Sequence, residues 1–362
     1  MRRFVAPLRR SHKLTVAGAV ALTAAAGGTV AAEAGAVLRF VTAGLALAAL
    51  AALVGQSIDQ VGERLGPGPT GLLQSTLGNL PELFVGIFAL RQGLTGVVRA
   101  ALVGSVLGNV LLVLGIAFVA GGLRHGPQRF DAEAPRLNAS LLLLVVAALL
   151  VPTLASRLGT PAAAHSEALS DGLAVILLVV YALSIPYNLR QRPDPSTVAD
   201  PPEGVEGDEP WPLRLSVVLL ALGSLGAALA SDWFVSPLQH ATGSLGLSQT
   251  FTGLVVVAIA SNAVENAVGV RFALKAKPEY AVSTTLNSPL QVALLLTPAL
   301  VLVSRVIGPT QLTLVFPPLL VAALAISATV VTVVIYDGEY TWIEGVALIG
   351  LYCILVAAFW WG

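Results

Sequence analysis

The chain has 362 residues, 56% hydrophobic and only 11% charged, and its 20 basic and 20 acidic side chains balance to zero; its mean hydropathy is +0.84. That composition excludes an ordinary soluble domain, and the neutral balance gives no field to attract nucleic acid. A single cysteine, Cys353, excludes a disulfide framework or a CxxC metal or redox site and reads as a small apolar filler.

The expected fold class is an all-α integral membrane protein, because several apolar runs exceed the about 20 residues needed to cross a bilayer. Eleven apolar segments are expected, at roughly residues 14–32, 37–57, 71–90, 97–121, 137–155, 170–188, 213–233, 247–273, 281–307, 315–335 and 342–361. The first follows a basic start and ends in small residues, as signal peptides do. Its length favours a retained helix instead. Segment 3 is unusual, since "LGNLPELFVGIFALRQG" puts Asn79, Pro81 and Glu82 where hydrocarbon should surround the chain. Between segments 6 and 7, "LRQRPDPSTVADPPEGVEGDEPWP" is acidic and carries five prolines before Trp211. It can neither span nor pack a core, so it serves as a solvated linker or as an acidic surface that attracts cations. The expected organisation is therefore residues 1–35 as basic N-terminus and first span, 36–188 as a first five-helix repeat, 189–212 as the acidic loop, and 213–362 as a second five-helix repeat.

Lys and Arg set the orientation. With the N-terminus inside and the spans alternating, fifteen of the twenty basic residues face inward. Arg39, Arg91, Arg99, Arg157 and Arg305 face outward. Only three of the twenty are lysines and alanine is abundant, which points to a GC-rich genome and a bacterial cell membrane, with the N-terminus cytoplasmic.

The two halves echo one another at their most polar places. Aligning Asn79 on Asn262 puts Glu82 on Glu265, and 26 residues beyond each asparagine stands a serine, Ser105 or Ser288. Five helices per half insert the halves with opposite orientation, the recurring plan of secondary transporters. Of the twenty acidic residues, only Glu82 and Glu265 lie deep in expected spans. Each costs about 2.5 to 3.5 kcal/mol at a helix centre even on insertion scales. Two such costs in equivalent positions argue for a shared task.

The donor set suits a hard divalent cation. Ca2+ takes oxygen from carboxylates, amides, hydroxyls, freed carbonyls and water. Glu82 and Glu265 are the expected metal ligands, with Asn79, Asn262, Ser105 and Ser288 beside them. Asn109, Asn266, Asn287 and Gln291 are accessory candidates, and each of these, like Ser105 and Ser288, is equally readable as helix-packing glue. Pro81 lacks an N–H and would free the Leu77 carbonyl. Gly78, Gly104 and Gly108 read as close-packing positions. No cofactor is expected; Ca2+ enters as cargo.

At these residues the chain resembles the Ca2+/H+ antiporters of the cation/Ca2+ exchanger superfamily. "GNLPELFVGIFALRQG" with "GSVLGNVLLVLG" is similar to that family's first repeat, and "SNAVENAVGVRFALKAK" with "NSPLQVALLLTP" to its second. The resemblance covers most of residues 36–362. It implies eleven helices, two inverted repeats, cation exchange driven by protons, and central glutamates at Glu82 and Glu265 with asparagines at Asn79 and Asn262. The family's usual histidine after the second glutamate is Asn266 here, and Ser261 stands where it has glycine. Its GSS is replaced by Asn287, Ser288 and Pro289, and "LPEL" echoes Na+/Ca2+ exchangers. Na+/Ca2+ or other cation/proton exchange therefore stays as the alternative. Asp59 and Asp232 are either proton-relay acids or ordinary helix-end charges. An intramembrane enzyme would need a Ser–His pair, HExxH or paired aspartates within spans, and none is present. A membrane scaffold, the remote reading, would need no Glu in both halves.

Overall fold

Proline and glycine, far more than charge, decide where the helices begin and end. The computed structural model describes residues 10–65, 77–190 and 211–360, without the side chains of residues 10, 11, 62–65, 187–190 and 263–268. Most of the acidic loop, and the side chains of Glu265 and Asn266, thus lie outside the described residues.

In chain order the helices are α1 (Arg10–Ala31), α2 (Ala36–Leu65), α3 (Leu80–Arg91), α4 (Thr95–His125), α5 (Glu133–Arg157), α6 (Ser166–Arg190) and α7 (Leu213–Val235). There follow α8 (Leu238–Ser244), α9 (residues 249–274), α10 (Pro278–Val303), α11 (Pro318–Val334) and α12 (Trp342–Phe359). Eight of these described helices are long and apolar enough to cross a membrane. A ninth span results if α8 and the start of α9, bent by 120°, count as one broken crossing. The remaining two of the eleven expected segments correspond to α3 and α11, which are shorter at 12 and 17 residues.

Segment 3 departs from expectation. Residues 78–79 form a turn, and α3 starts only at Leu80. Pro81 therefore lies in a first helical turn, where its missing N–H would have had no partner anyway. It starts a helix; it does not loosen one.

The most enclosed helices are α4 and α10, with 78% and 67% of their apolar stretch buried against 11% for α1. Each is interrupted by a π-helical stretch, Gly108–Val113 in α4 and Val292–Leu296 in α10. A third, Thr252–Val257, lies near the start of α9. Outside this centre, α2 and α7 run side by side. Phe40 stacks on Phe234 at 4.6 Å, and a Cβ added to Gly223 or Gly226 would meet Val54 at 3.1 Å or Leu50 at 2.9 Å. α1 lies against this pair, with Gly27 facing the Trp233 ring.

The helix ends gather on two sides. On one, strands β1 (Gln128–Arg129) and β2 (Glu339–Tyr340) pair antiparallel. Their approach needs Gly338, whose φ is +75° and whose Cβ would fall 2.8 Å from the Phe130 carbonyl oxygen. There His125 Nε2 also meets the Leu274 carbonyl at 3.0 Å, and Tyr340 stacks on Phe118 at 4.0 Å. On the opposite side, residues 304–317 form a strap without helix or strand. Leu312, Leu314 and Phe316 bury their side chains, and each backbone N–H is accepted by a hydroxyl: Ser304 at 2.8 Å, Ser170 at 2.9 Å and Thr153 at 3.0 Å. These hydroxyls satisfy buried amides that regular structure would otherwise pair.

Candidate functional site

The turn at residues 78–79 delivers Glu82 to the first turn of α3, where the exposed N–H groups of a helix N-terminus favour negative charge. Glu82 is only 9% exposed. Glu82 lines a narrow cleft together with Ser105 of α4 and Ser261 of α9. The remaining walls are apolar, among them Val85, Val98, Leu296 and Leu300. A second cleft adjoins Ser105, which is shared, and is lined by Asn109, Asn262, Gly108 and Tyr352.

The two asparagines singled out by the repeat are both buried, at 4% and 3% exposure. Asn79 is the N-cap residue of α3 but makes no capping bond. Its Nδ2 donates instead to Gln291 Oε1 of α10 at 3.0 Å. Asn262 Nδ2 donates to Ser105 Oγ and to the Ala258 carbonyl, both at 3.0 Å. In each case the amide nitrogen is committed across or along the helices. Each Oδ1 is left buried with no partner among the described residues. Buried acceptors without donors are rare and costly.

Asn109 lies in the π-helical stretch of α4 and donates to the Ser105 carbonyl at 3.0 Å. Gln291 immediately precedes the corresponding stretch of α10. Such stretches recur at functional sites because they displace the backbone by one residue. Ser288 is buried on α10. Asn287 points elsewhere, accepting from Asn138 of α5 at 2.6 Å. Glu265 and Asn266 are carried by α9, C-terminal to Asn262. Asp59 and Asp232 are both exposed.

Two residues escaped the sequence reading as contributors: Ser261, seen there only as a departure from glycine, and Asn138, the partner of Asn287. Of the glycines expected to pack closely, Gly104 does so, since its Cβ would fall 2.0 Å from the Leu254 carbonyl oxygen. Gly108 does not. Nothing lies within 4 Å of its Cβ position, which faces the second cleft.

A family profile described as sodium/calcium exchanger protein matches residues 35–189 and 215–361. The chain belongs to that family. Among its exchanger relatives, it is 36% identical over 335 residues to a Ca2+/H+ antiporter of Synechocystis sp., covering 88% of this chain and 90% of the relative. It is 35% identical over 317 residues to the Ca2+/H+ antiporter ChaA of Bacillus subtilis, covering 86% and 88%. The solved structure of native YfkE superposes with a TM-score of 0.81 at 28% identity, over 96% of this chain and 99% of YfkE. This exchanger-family chain is an integral membrane protein, and its described fold is that of its solved relative.

Proposed function

We propose that the protein is a secondary-active antiporter exchanging Ca2+ for H+, with the cation held at Glu82 and Glu265. The observation that carries this reading is the pair of buried amide oxygens, Asn79 Oδ1 and Asn262 Oδ1, each without a donor among the described residues while the buried Glu82 lines the cleft that ends at Ser105. The Ca2+/H+ antiporters among the relatives support the choice of ions.

The mechanism follows from charge balance. An ionised carboxylate in the centre of a membrane is costly unless its charge is compensated. Ca2+ compensates two carboxylates at once, and protons do the same one at a time. The two occupancies exclude each other, so release of one cargo is the condition for loading the other. Asn79, Asn262, Ser105 and Ser288 complete an oxygen shell of the kind Ca2+ takes. Gln291 and Asn109 act by positioning, one holding the Asn79 amide and the other bracing the turn at Ser105. The side-by-side α2/α7 pair moves against the helices that carry the site and exposes it to each face in turn.

The finer architecture belongs to the same proposal. It comprises eleven spans, a first helix followed by inverted five-helix repeats at 36–188 and 213–362, a cytoplasmic loop between them, and a cytoplasmic N-terminus. The placement of π-helical stretches three and four residues after Ser105 and Ser288 supports the repeat.

Reconstitution in liposomes tests the reading. A pH gradient should drive 45Ca uptake, and Glu82→Gln and Glu265→Gln should each abolish it while the protein still purifies as a folded monodisperse species. Uptake under a Na+ gradient but not a pH gradient would transfer the assignment to Na+/Ca2+ exchange. Unimpaired uptake in either variant would remove the paired carboxylates from the mechanism.

A further inference from the structure

A second polar feature lies apart from the carboxylate site. Arg99, Ser156, Arg157, Val315, Phe316 and Pro317 line an open cleft of about 770 Å3 that shares no residue with the cleft at Glu82. Its two guanidiniums come from the ends of membrane-length helices, Arg99 from the second turn of α4 and Arg157 from the last residue of α5. Arg99 is held in place. Its Nε donates to the Thr313 carbonyl at 3.3 Å and its Nη2 to Thr313 Oγ1 at 3.0 Å, while the guanidinium carbon lies 5.9 Å from the Phe316 ring centroid. Its Nη1 has no partner among the described residues. Arg157 makes no hydrogen bond or ion pair among them either, and no acidic side chain lines the cleft.

Two guanidiniums converging on one open cleft without a carboxylate favour a multivalent oxyanion, which accepts several charge-assisted hydrogen bonds at once. The N-terminus of the 17-residue helix α11 begins at the cleft wall, just after Pro317, and adds partial positive charge. The chain beside the lining residues is apolar and outward-facing: Leu154 and Leu158 flank Arg157 in sequence and Leu319 follows Pro317, and they are 45%, 73% and 49% exposed. A polar pocket at a helix end, bordered by outward-facing leucines, fits a headgroup above acyl chains.

We propose that this cleft binds a phosphate-type oxyanion, supplied by the headgroup of an anionic phospholipid or by free phosphate, with Arg99 and Arg157 as its two cationic arms. The apolar leucines beside it favour the lipid.

The test uses the full chain, purified and delipidated in detergent, and reads both the thermal unfolding midpoint and bound lipid by native mass spectrometry. Phosphatidylglycerol in mixed micelles should raise the midpoint and remain bound through gas-phase release, while phosphatidylcholine does neither. Arg157→Gln changes an exposed side chain without hydrogen bonds, so its folding is unaffected, and its affinity for phosphatidylglycerol should fall about tenfold, the loss of one charge-assisted contact. Arg99→Gln should do the same, with Arg99→Lys as the folded control that keeps the charge. Inorganic phosphate reproducing the shift in wild type but not in Arg157→Gln would identify free phosphate as the occupant and uphold the site. Equal effects of the two lipids with no response to phosphate, or wild-type phosphatidylglycerol binding in Arg157→Gln, would overturn it.

Discussion

Asn79 and Asn262 show how much a single amide can be asked to do. Each commits its nitrogen to a neighbouring helix or turn and presents its oxygen, bare, to the interior. In the proposed cation site, replacing either by alanine removes one ligand from a charged cargo, about 1.5 to 3 kcal/mol for a hydrogen-bond-scale contact to a charge. Asn79→Ala and Asn262→Ala should therefore each raise the half-saturating Ca2+ concentration by roughly tenfold or more, as measured by initial flux in liposomes. Tyr340 is the opposite case, a hydroxyl buried with no partner in the described structure. Burial, then the charge of Glu279, pushes it up from 10.0 to about 12. The folded protein thus holds this proton more tightly than the unfolded chain does. The corresponding stability is complete below pH 10 and is lost as pH rises toward 12. Tyr340→Phe should abolish that decline relative to wild type in thermal melts across the alkaline range. Near neutrality it should be equal or more stable by up to about 1 kcal/mol, because an unsatisfied polar group has gone. The burial of both asparagines, Glu82 and Ser105 was legible in the sequence because the repeat doubles the signal. Ser261 was not, since a serine beside an asparagine carries no pattern of its own. Asn138 was not, because its partner is 149 residues away.

Among the elements, the helices were the legible part: long apolar runs with Gly and Pro between them permit little else in a membrane. Their interruptions were not. A π-helical stretch inserts one residue's worth of slack without changing composition, and the turn before α3 hides inside an apolar run because Leu80 and Pro81 continue it. The glycines separate by role at this scale. Gly104 crosses the start of α9 so closely that a methyl group would enter the Leu254 carbonyl. Gly104→Ala should lower the unfolding midpoint sharply, by the about 1 to 3 kcal/mol typical of overpacking or more. Gly108→Ala, four residues on, meets nothing within 4 Å and should melt like wild type. Because its methyl enters the cleft lined by Asn109 and Asn262, it should slow exchange all the same. Melting curves beside flux measurements distinguish the two outcomes.

For the molecule as a whole, α2 and α7 form a paired unit whose contacts include small residues against Leu, Val and Phe. If the pair travels as one body, tying it together should be harmless. Val54→Cys with Gly223→Cys, in a Cys353→Ser background, joins neighbouring positions on the two helices: a Cβ at residue 223 would lie 3.1 Å from Val54 Cγ2. Oxidation should leave the exchange rate unchanged; arrest would mean that α2 and α7 slide past each other. The two sides of the molecule are also unlike. One is closed by a two-residue ladder and a stacked tyrosine. The other is closed by the strap of residues 304–317, whose three amides are pinned by hydroxyls from the end of α10, α6 and α5. An exchanger assembled from mirrored halves would be expected to rest with equal ease facing either way. The two ends are not matched: three hydroxyl-bound amides lace one and a two-residue ladder clasps the other, so a different set of hydrogen bonds has to part before each end can open.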